Sequence, residues 1–133
     1  MIKEFTHEIK VYYEDTDSGG VVYYSNYLNF LERARTEMIN SIGLSNKKLL
    51  EEHKILIIVK SCNIEFIKPA KLEDHLKIYS SIESFNKASF VMIQNIRKDD
   101  NLIVKAKLKL VTVNQEGKPI KIPSVLEKKL AIS

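Results

Sequence analysis

Cysteine occurs once, at Cys62, so no disulfide can form within the chain. A single thiol inside an apolar stretch reads as a buried, inert side chain, and a reducing compartment suits such a sequence. Tryptophan is missing, and glycine and proline number only 4 and 3. With so few chain breakers there is no low-complexity tract, repeat or linker, and residues 1–133 are expected to form one domain. No segment approaches the roughly 18 consecutive apolar residues of a membrane span. The opening MIKEFTHEIK mixes acids and bases with its apolar residues, so no leader is expected either. His7, His53 and His75 are too scattered to suggest a metal site, and neither a G-x-S-x-G nucleophile elbow nor a phosphate-binding glycine loop occurs. No metal and no cofactor are expected.

What is present describes a soluble, cytoplasmic protein. At 133 residues, with 44% hydrophobic and 29% charged side chains, the chain can bury about two thirds of its unfolded surface and needs no covalent staples. The formal charge is +4. Residues 103–133 carry seven basic side chains against two acidic ones, but without interleaved aromatics. That face reads as solvated surface with room for a phosphate-bearing ligand, and no nucleic acid is expected.

Period-2 and period-3.6 patterns order the elements. Residues 5–13 read as a strand that breaks into the acidic, glycine-bearing loop 14–20. From Ser25 to Ile42 there is no proline or glycine, and Tyr27, Leu31, Ala34 and Met38 recur at helical spacing. Gly43 ends that helix, and Ser25 or Asn26 is expected to cap it. Asn46 to His53 reads as a short second helix. Four strands follow, at 55–66, 75–85, 88–97 and 102–113, and Ser124 with Glu127 has the spacing of a capping box for a last helix over 125–131. Short reversals make the strands antiparallel, and the long helix needs their apolar face as a partner. The expected class is α+β, a long central helix wrapped by a curved antiparallel sheet of about five strands.

Chemistry concentrates in residues 11–37. An acidic loop containing Asp15, Thr16 and Asp17 meets Gly19 and Gly20 and then a helix start, whose first amides lack intrahelical acceptors and sit at the positive end of the helix dipole. Glycine lets the backbone approach a ligand closely, which makes Gly20 a candidate substrate contact. Carboxylate and oxyanion donors side by side suit acyl transfer. From composition alone, turn and capping duties are the favoured account of the two aspartates. An EF-hand calcium loop does not fit, because Asn26 stands where the bidentate glutamate is required.

Tyr13, Asp15, Thr16, Asp17, Gly20, Val22 and Tyr23 together resemble the Y-x-D-T-D-x-x-G-x-V-Y signature of the 4-hydroxybenzoyl-CoA thioesterase family of hotdog proteins. The segment is most similar to the YbgC-like acyl-CoA thioesterase branch. The likeness continues through Asn26, Tyr27, Glu32, Arg33 and Arg35, and more weakly through Phe66, Pro69, Ala70 and Asp74. The resemblance implies a hotdog fold and hydrolysis of acyl-CoA to free fatty acid and CoA. It also implies Asp17 as the catalytic carboxylate, either nucleophile or general base, with the Tyr24 backbone amide polarising the thioester carbonyl. Relatives of that branch often carry histidine where this chain has Tyr24, a departure that a backbone role tolerates. A homodimer or dimer of dimers is implied, in which Asp17 faces Val59, Lys60 and Ser61 of a partner copy, those three being substrate-binding candidates. Acyl-CoA, and acyl carrier protein as a second candidate, are the implied partners. Two alternatives stand beside this reading. One is a hotdog dehydratase of 3-hydroxyacyl thioesters, disfavoured because residues 8–52 contain no histidine. The other is a non-catalytic protein that binds acyl-CoA or acyl carrier protein. The uncharged stripe Tyr27, Leu31, Ala34 and Met38 favours an aliphatic acyl group.

Overall fold

The computed structural model describes residues 4–132. In chain order the elements are β1 (Phe5–Lys10), α1 (Tyr24–Ser41), α2 (Asn46–His53), β2 (Leu56–Phe66), β3 (His75–Phe85), β4 (Ser89–Lys98), β5 (Asn101–Val113) and α3 (Ser124–Ile132). The strands form one antiparallel sheet in the order β1-β3-β4-β5-β2, with α1 packed against it. This is the hotdog arrangement expected from the sequence. Within it β3, β4 and β5 are joined by tight reversals, whereas β4 and β5 lie between β2 and β3. The 67–74 segment therefore crosses the sheet from its β2 edge to the interior strand β3 instead of turning a hairpin.

The sheet's inner row explains the helix. Tyr27, Phe30, Leu31 and Ala34 of α1 cluster with Leu76, Ile78, Ile96, Val104, Ala106 and Leu108. The four stripe residues read from periodicity are all buried. Each large aliphatic side chain enclosed in this way contributes about 1.5–3 kcal/mol. Met38 and Ile39 lie in a second cluster with Leu49, Phe90, Met92, Leu110, Leu126 and Leu130, which seats α2 and α3 at the far end of α1. Gly43, at φ 81, ends the turn after α1 in the left-handed conformation that glycine adopts without penalty.

Most element ends fall within a residue of the sequence-based expectation, and three differ in their local chemistry. The first strand stops at Lys10, and Tyr13–Asp15 make a 3-10 turn instead. The cap of α1 is the extended Tyr23, which contributes no side-chain hydrogen bond, so neither Ser25 nor Asn26 caps the helix. At α3 the Pro123 carbonyl accepts the Leu126 and Glu127 amides, and Ser124 is the first helical residue.

Candidate active site

The loop between β1 and α1 is folded by its own aspartates. Asp15 is buried; its carboxylate accepts the Tyr12 amide at 2.9 Å, and its carbonyl accepts the Tyr23 amide at 2.9 Å and the Asn26 side-chain amide at 3.0 Å. Asp15 thus ties the loop to the first turn of α1. Asp17 opens a tight turn in which its amide donates to the Val21 carbonyl at 2.9 Å and its carbonyl accepts the Gly20 amide at 3.1 Å. Gly20, at φ 80, supplies the left-handed residue that closes the turn. Beyond the turn, the Val22 amide donates to the Ala70 carbonyl and the Leu72 amide to the Gly20 carbonyl, which fixes the loop against the 70–72 segment.

The exposed Asp17 carboxylate is anchored through one oxygen. Oδ1 accepts the Gly19 amide at 2.8 Å and, more distantly, the Val21 amide at 3.4 Å. Oδ2 makes no hydrogen bond among the described residues. The Tyr24 amide is in the same condition: Tyr23 donates to Asp15 and Asn26 to Tyr23, while Tyr24, the first residue of α1, has no acceptor among the described residues. Asp17 and Tyr24 line one cavity of about 320 Å³, walled by Tyr27, Phe66 and Pro69 with Lys68 beside them. Asp17, with its half-free carboxylate, and Tyr24, with its free helix-terminal amide, line the same cavity, an arrangement that suits acyl transfer.

Aromatic packing gives the chamber its floor. The Tyr24 and Phe66 rings lie 4.8 Å apart, and Tyr27 and Phe66 lie 5.5 Å apart. The Tyr27 hydroxyl accepts the buried Ala70 amide at 3.0 Å, and burial raises its pKa above the ordinary tyrosine value. Tyr27 is therefore a structural acceptor and no candidate base. None of the three histidines lines this cavity, and among the described residues no cluster of histidine, cysteine and carboxylates is arranged to hold a metal ion.

The candidates on β2 are separated by a bulge. Val59 pairs with Leu110 and Ser61 with Lys109, leaving Lys60 as the extra residue. The bulge reverses which residues pack on the core: Ile57 before it, then Cys62 and Ile64 after it. Val59 lines a second cavity, whereas Lys60 and Ser61 line neither. Within one chain the structure does not bring Val59, Lys60 and Ser61 to Asp17, since Val59 and Phe66 are separated by about 23 Å along the strand. Gly20 also lies outside the wall of the Asp17 cavity and acts on it through the turn.

A buried polar group behind the site escaped the sequence reading. Gln94, fully buried, donates to the Leu31 carbonyl at 3.0 Å and to the Ser80 hydroxyl at 2.9 Å, and accepts from Arg35 at 3.0 Å. It clamps the middle of α1 to the sheet. Burial lowers the Arg35 pKa while Glu32 nearby pulls it back up. The available signal was one glutamine in the inward row of Phe90, Met92 and Ile96.

Comparison with known proteins adds an independent line. The family model of the thioesterase-like superfamily matches residues 11–130. The chain is 36% identical over 120 residues to the acyl-CoA thioesterase YbgC of Haemophilus influenzae, covering 90% of this chain and 88% of that protein. It is 39% identical over 121 residues to the acyl-CoA thioester hydrolase YbgC of Escherichia coli, covering 90% of each. Among solved structures, a probable thioesterase from Bartonella henselae superposes with a TM-score of 0.87 at 35% identity, over 91% of this chain and all of that one.

Proposed function

Because the chain belongs to the thioesterase-like superfamily, we propose that it hydrolyses acyl-CoA thioesters to a free fatty acid and CoA, with Asp17 and the Tyr24 amide as its catalytic groups. The observation that carries this reading is that Asp17, whose Oδ2 is free, and Tyr24, whose helix-terminal amide is free, line one cavity. The thioester carbonyl oxygen accepts from the Tyr24 amide, which stabilises the oxyanion as the tetrahedral centre forms. Asp17 acts through Oδ2 while the Gly19 amide holds Oδ1 still.

Two routes use that same oxygen. As a base, Asp17 removes a proton from water, the water oxygen bonds to the carbonyl carbon, and collapse of the oxyanion breaks the carbon–sulfur bond. As a nucleophile, Oδ2 bonds to the carbonyl carbon and expels the CoA thiolate, and water then cleaves the resulting anhydride. The leaving thiolate, whose conjugate thiol has a pKa near about 8.5, needs little help from an acid. That removes the need for a histidine, and none lines the cavity. The same observation favours hydrolysis over dehydration of 3-hydroxyacyl thioesters.

The proposal extends to assembly and location. Leu56, Ile58, Val59 and Phe66 are exposed along β2, whose outer edge carries no strand. An apolar bare edge favours pairing with a second copy. Antiparallel pairing of two β2 strands about the Cys62 to Asn63 region sets Phe66 of one chain near Val59 of its partner. Such a homodimer, alone or doubled, completes each Asp17 chamber with a partner's Val59 and, from the bulge, Lys60 and Ser61. The reading places the protein in the cytoplasm; among the described residues no helix is long and apolar enough to cross a membrane.

The test is thiol release from an acyl-CoA followed with a thiol-reactive dye, run beside a 3-hydroxyacyl-CoA monitored for double-bond absorbance. Thiol release alone supports the proposal. Double-bond formation without thiol release, or tight binding with no turnover, would replace it with one of the alternatives.

A further inference from the structure

The segment that joins β2 to β3 holds the Asp17 turn in place. The Val22 amide donates to the Ala70 carbonyl at 2.8 Å, the Leu72 amide donates to the Gly20 carbonyl at 3.0 Å, and Val21 bridges to Lys71. Val21 is also the residue whose carbonyl accepts the Asp17 amide and whose own amide reaches Asp17 Oδ1. Residues 70–72 therefore set where the Asp17 carboxylate stands. They set the start of α1 as well, because the Tyr27 hydroxyl accepts the Ala70 amide.

Local preference works against the shape of that segment. Lys71 to Asp74 form a turn closed by the Asp74 amide donating to the Lys71 carbonyl at 3.0 Å, and its third residue, Glu73, has φ 66. That conformation favours glycine, so Glu73 is held there by its surroundings. Asp74 supplies the restraint. Its Oδ2 accepts the Lys71 amide at 2.8 Å, its Oδ1 pairs with Lys98 Nζ at 2.9 Å, and its carbonyl accepts the amide of the buried Val11 at 2.9 Å. The Asp74 side chain is only 13% exposed, so little water is at hand to replace a lost partner. Lys98, at the end of β4, thus fixes the orientation of the carboxylate.

We propose that Asp74, oriented by Lys98, is a positioning residue for thioester hydrolysis, acting on the reaction by fixing Lys71 and, through residues 70–72, the Asp17 turn. This rests on the acyl-CoA hydrolase reading above and deepens it. Asp74 and Lys98 are absent from the wall of the Asp17 cavity. Their effect falls on the placement of Asp17 Oδ2 and leaves substrate binding alone, so it is read in kcat with KM unchanged. Where a misplacement of about 1 Å costs about 10²-fold, a drift of about 0.3 Å costs about fourfold.

The experiment combines steady-state hydrolysis of one acyl-CoA with amide hydrogen exchange followed by NMR, both on the full chain. Lys98→Met lowers kcat about three- to fivefold with KM unchanged, and Lys98→Arg, which keeps the charge, retains most of the rate. Asp74→Ala also frees the Lys71 amide and lowers kcat about tenfold or more. Should Asp74→Ala fail to fold, Lys98→Met decides alone, because a half-exposed ion pair contributes little to stability. In Lys98→Met the Leu72 and Val22 amides exchange faster while those of β4 and β5 do not. Lys107→Met, which removes an exposed pair with Glu83 at 3.0 Å on the same sheet, changes neither kcat nor those two amides. An unchanged kcat in Lys98→Met, or a loss that Lys107→Met reproduces, overturns the proposal and leaves the hydrolase reading standing. Unchanged exchange at Leu72 and Val22 overturns it independently of activity. Failure of the unsubstituted protein to hydrolyse any acyl-CoA overturns the hydrolase reading and this role together.

Discussion

Gly19 and Gly20 are neighbours in the Asp17 turn, yet one added methyl group separates their duties. A Cβ on Gly19 falls 3.3 Å from Asp17 Oδ1, and the backbone there is outside the left-handed region. The carboxylate has to retreat by a few tenths of an ångström, which weakens the 2.8 Å bond from the Gly19 amide. Asp17 is exposed and yields without disturbing the core, while alanine restricts the unfolded chain by about 0.4–1 kcal/mol. Stability should hold or rise slightly. If a misplacement of about 1 Å costs about 10²-fold, Gly19→Ala loses about 5- to 10-fold in kcat. Gly20→Ala is the converse, since its Cβ meets nothing within 4 Å but its φ is 80. Left-handed alanine costs about 1–2 kcal/mol, part of which the unfolded-state effect offsets, so Tm falls by about 2–6 °C. Its kcat should change less than that of Gly19→Ala. Thermal melts and steady-state hydrolysis of one acyl-CoA measure both quantities on both proteins. Full activity in Gly19→Ala would refute the claim that the carboxylate's position matters.

Tyr27→Phe leaves the buried Ala70 amide without its acceptor, which should cost about 1–3 kcal/mol in urea unfolding. Because burial raises the Tyr27 pKa, its contribution is complete below the ordinary tyrosine pKa of about 10 and is lost as pH rises through the folded value. Tyr27→Phe should lack that part of the alkaline decline, and identical alkaline profiles would argue against the assignment. Cys62 should alkylate more slowly than a free cysteine at pH 8, since burial raises its thiol pKa more than the Arg35 cation lowers it; mass spectrometry of an iodoacetamide time course reads this. Dilution below the dimer dissociation constant should abolish hydrolysis if each site needs two chains, whereas light scattering that shows a fully active monomer would remove the shared site.

Features governed by local pattern were legible in the sequence, and features governed by distant pairing were not. The α1 stripe of Tyr27, Leu31, Ala34 and Met38 is buried as its spacing required. The alternation of Lys105, Lys107 and Lys109 with Ala106, Leu108 and Leu110 identified β5 in the same way. By contrast, β2 belongs at the far edge because Leu56 pairs with Val113 and Phe66 with Val104, contacts that leave no trace in either segment alone. The Lys60 bulge is equally silent, yet it carries Lys60 and Ser61 away from both cavities. At the site, Asp17 and the α1 start were visible through the acidic loop and the paired glycines. The α1 cap leaves no sequence signal because Tyr23 uses its backbone alone, and Asn26, a residue type that caps helices, is engaged instead by the Asp15 carbonyl. Gln94 stood out only as one amide among apolar neighbours, and its three partners lie on α1 and β3.

The most direct test is a comparison of Asp17→Asn with the unsubstituted protein under single-turnover conditions, enzyme in excess over acyl-CoA. The amide is nearly isosteric but supplies neither a base nor an anionic nucleophile, and its oxygen can still accept the Gly19 amide, so the fold and melting temperature should persist. The account predicts a loss of at least about 10²-fold in the rate of thioester cleavage. A folded Asp17→Asn protein that cleaves acyl-CoA at close to the original rate would contradict it.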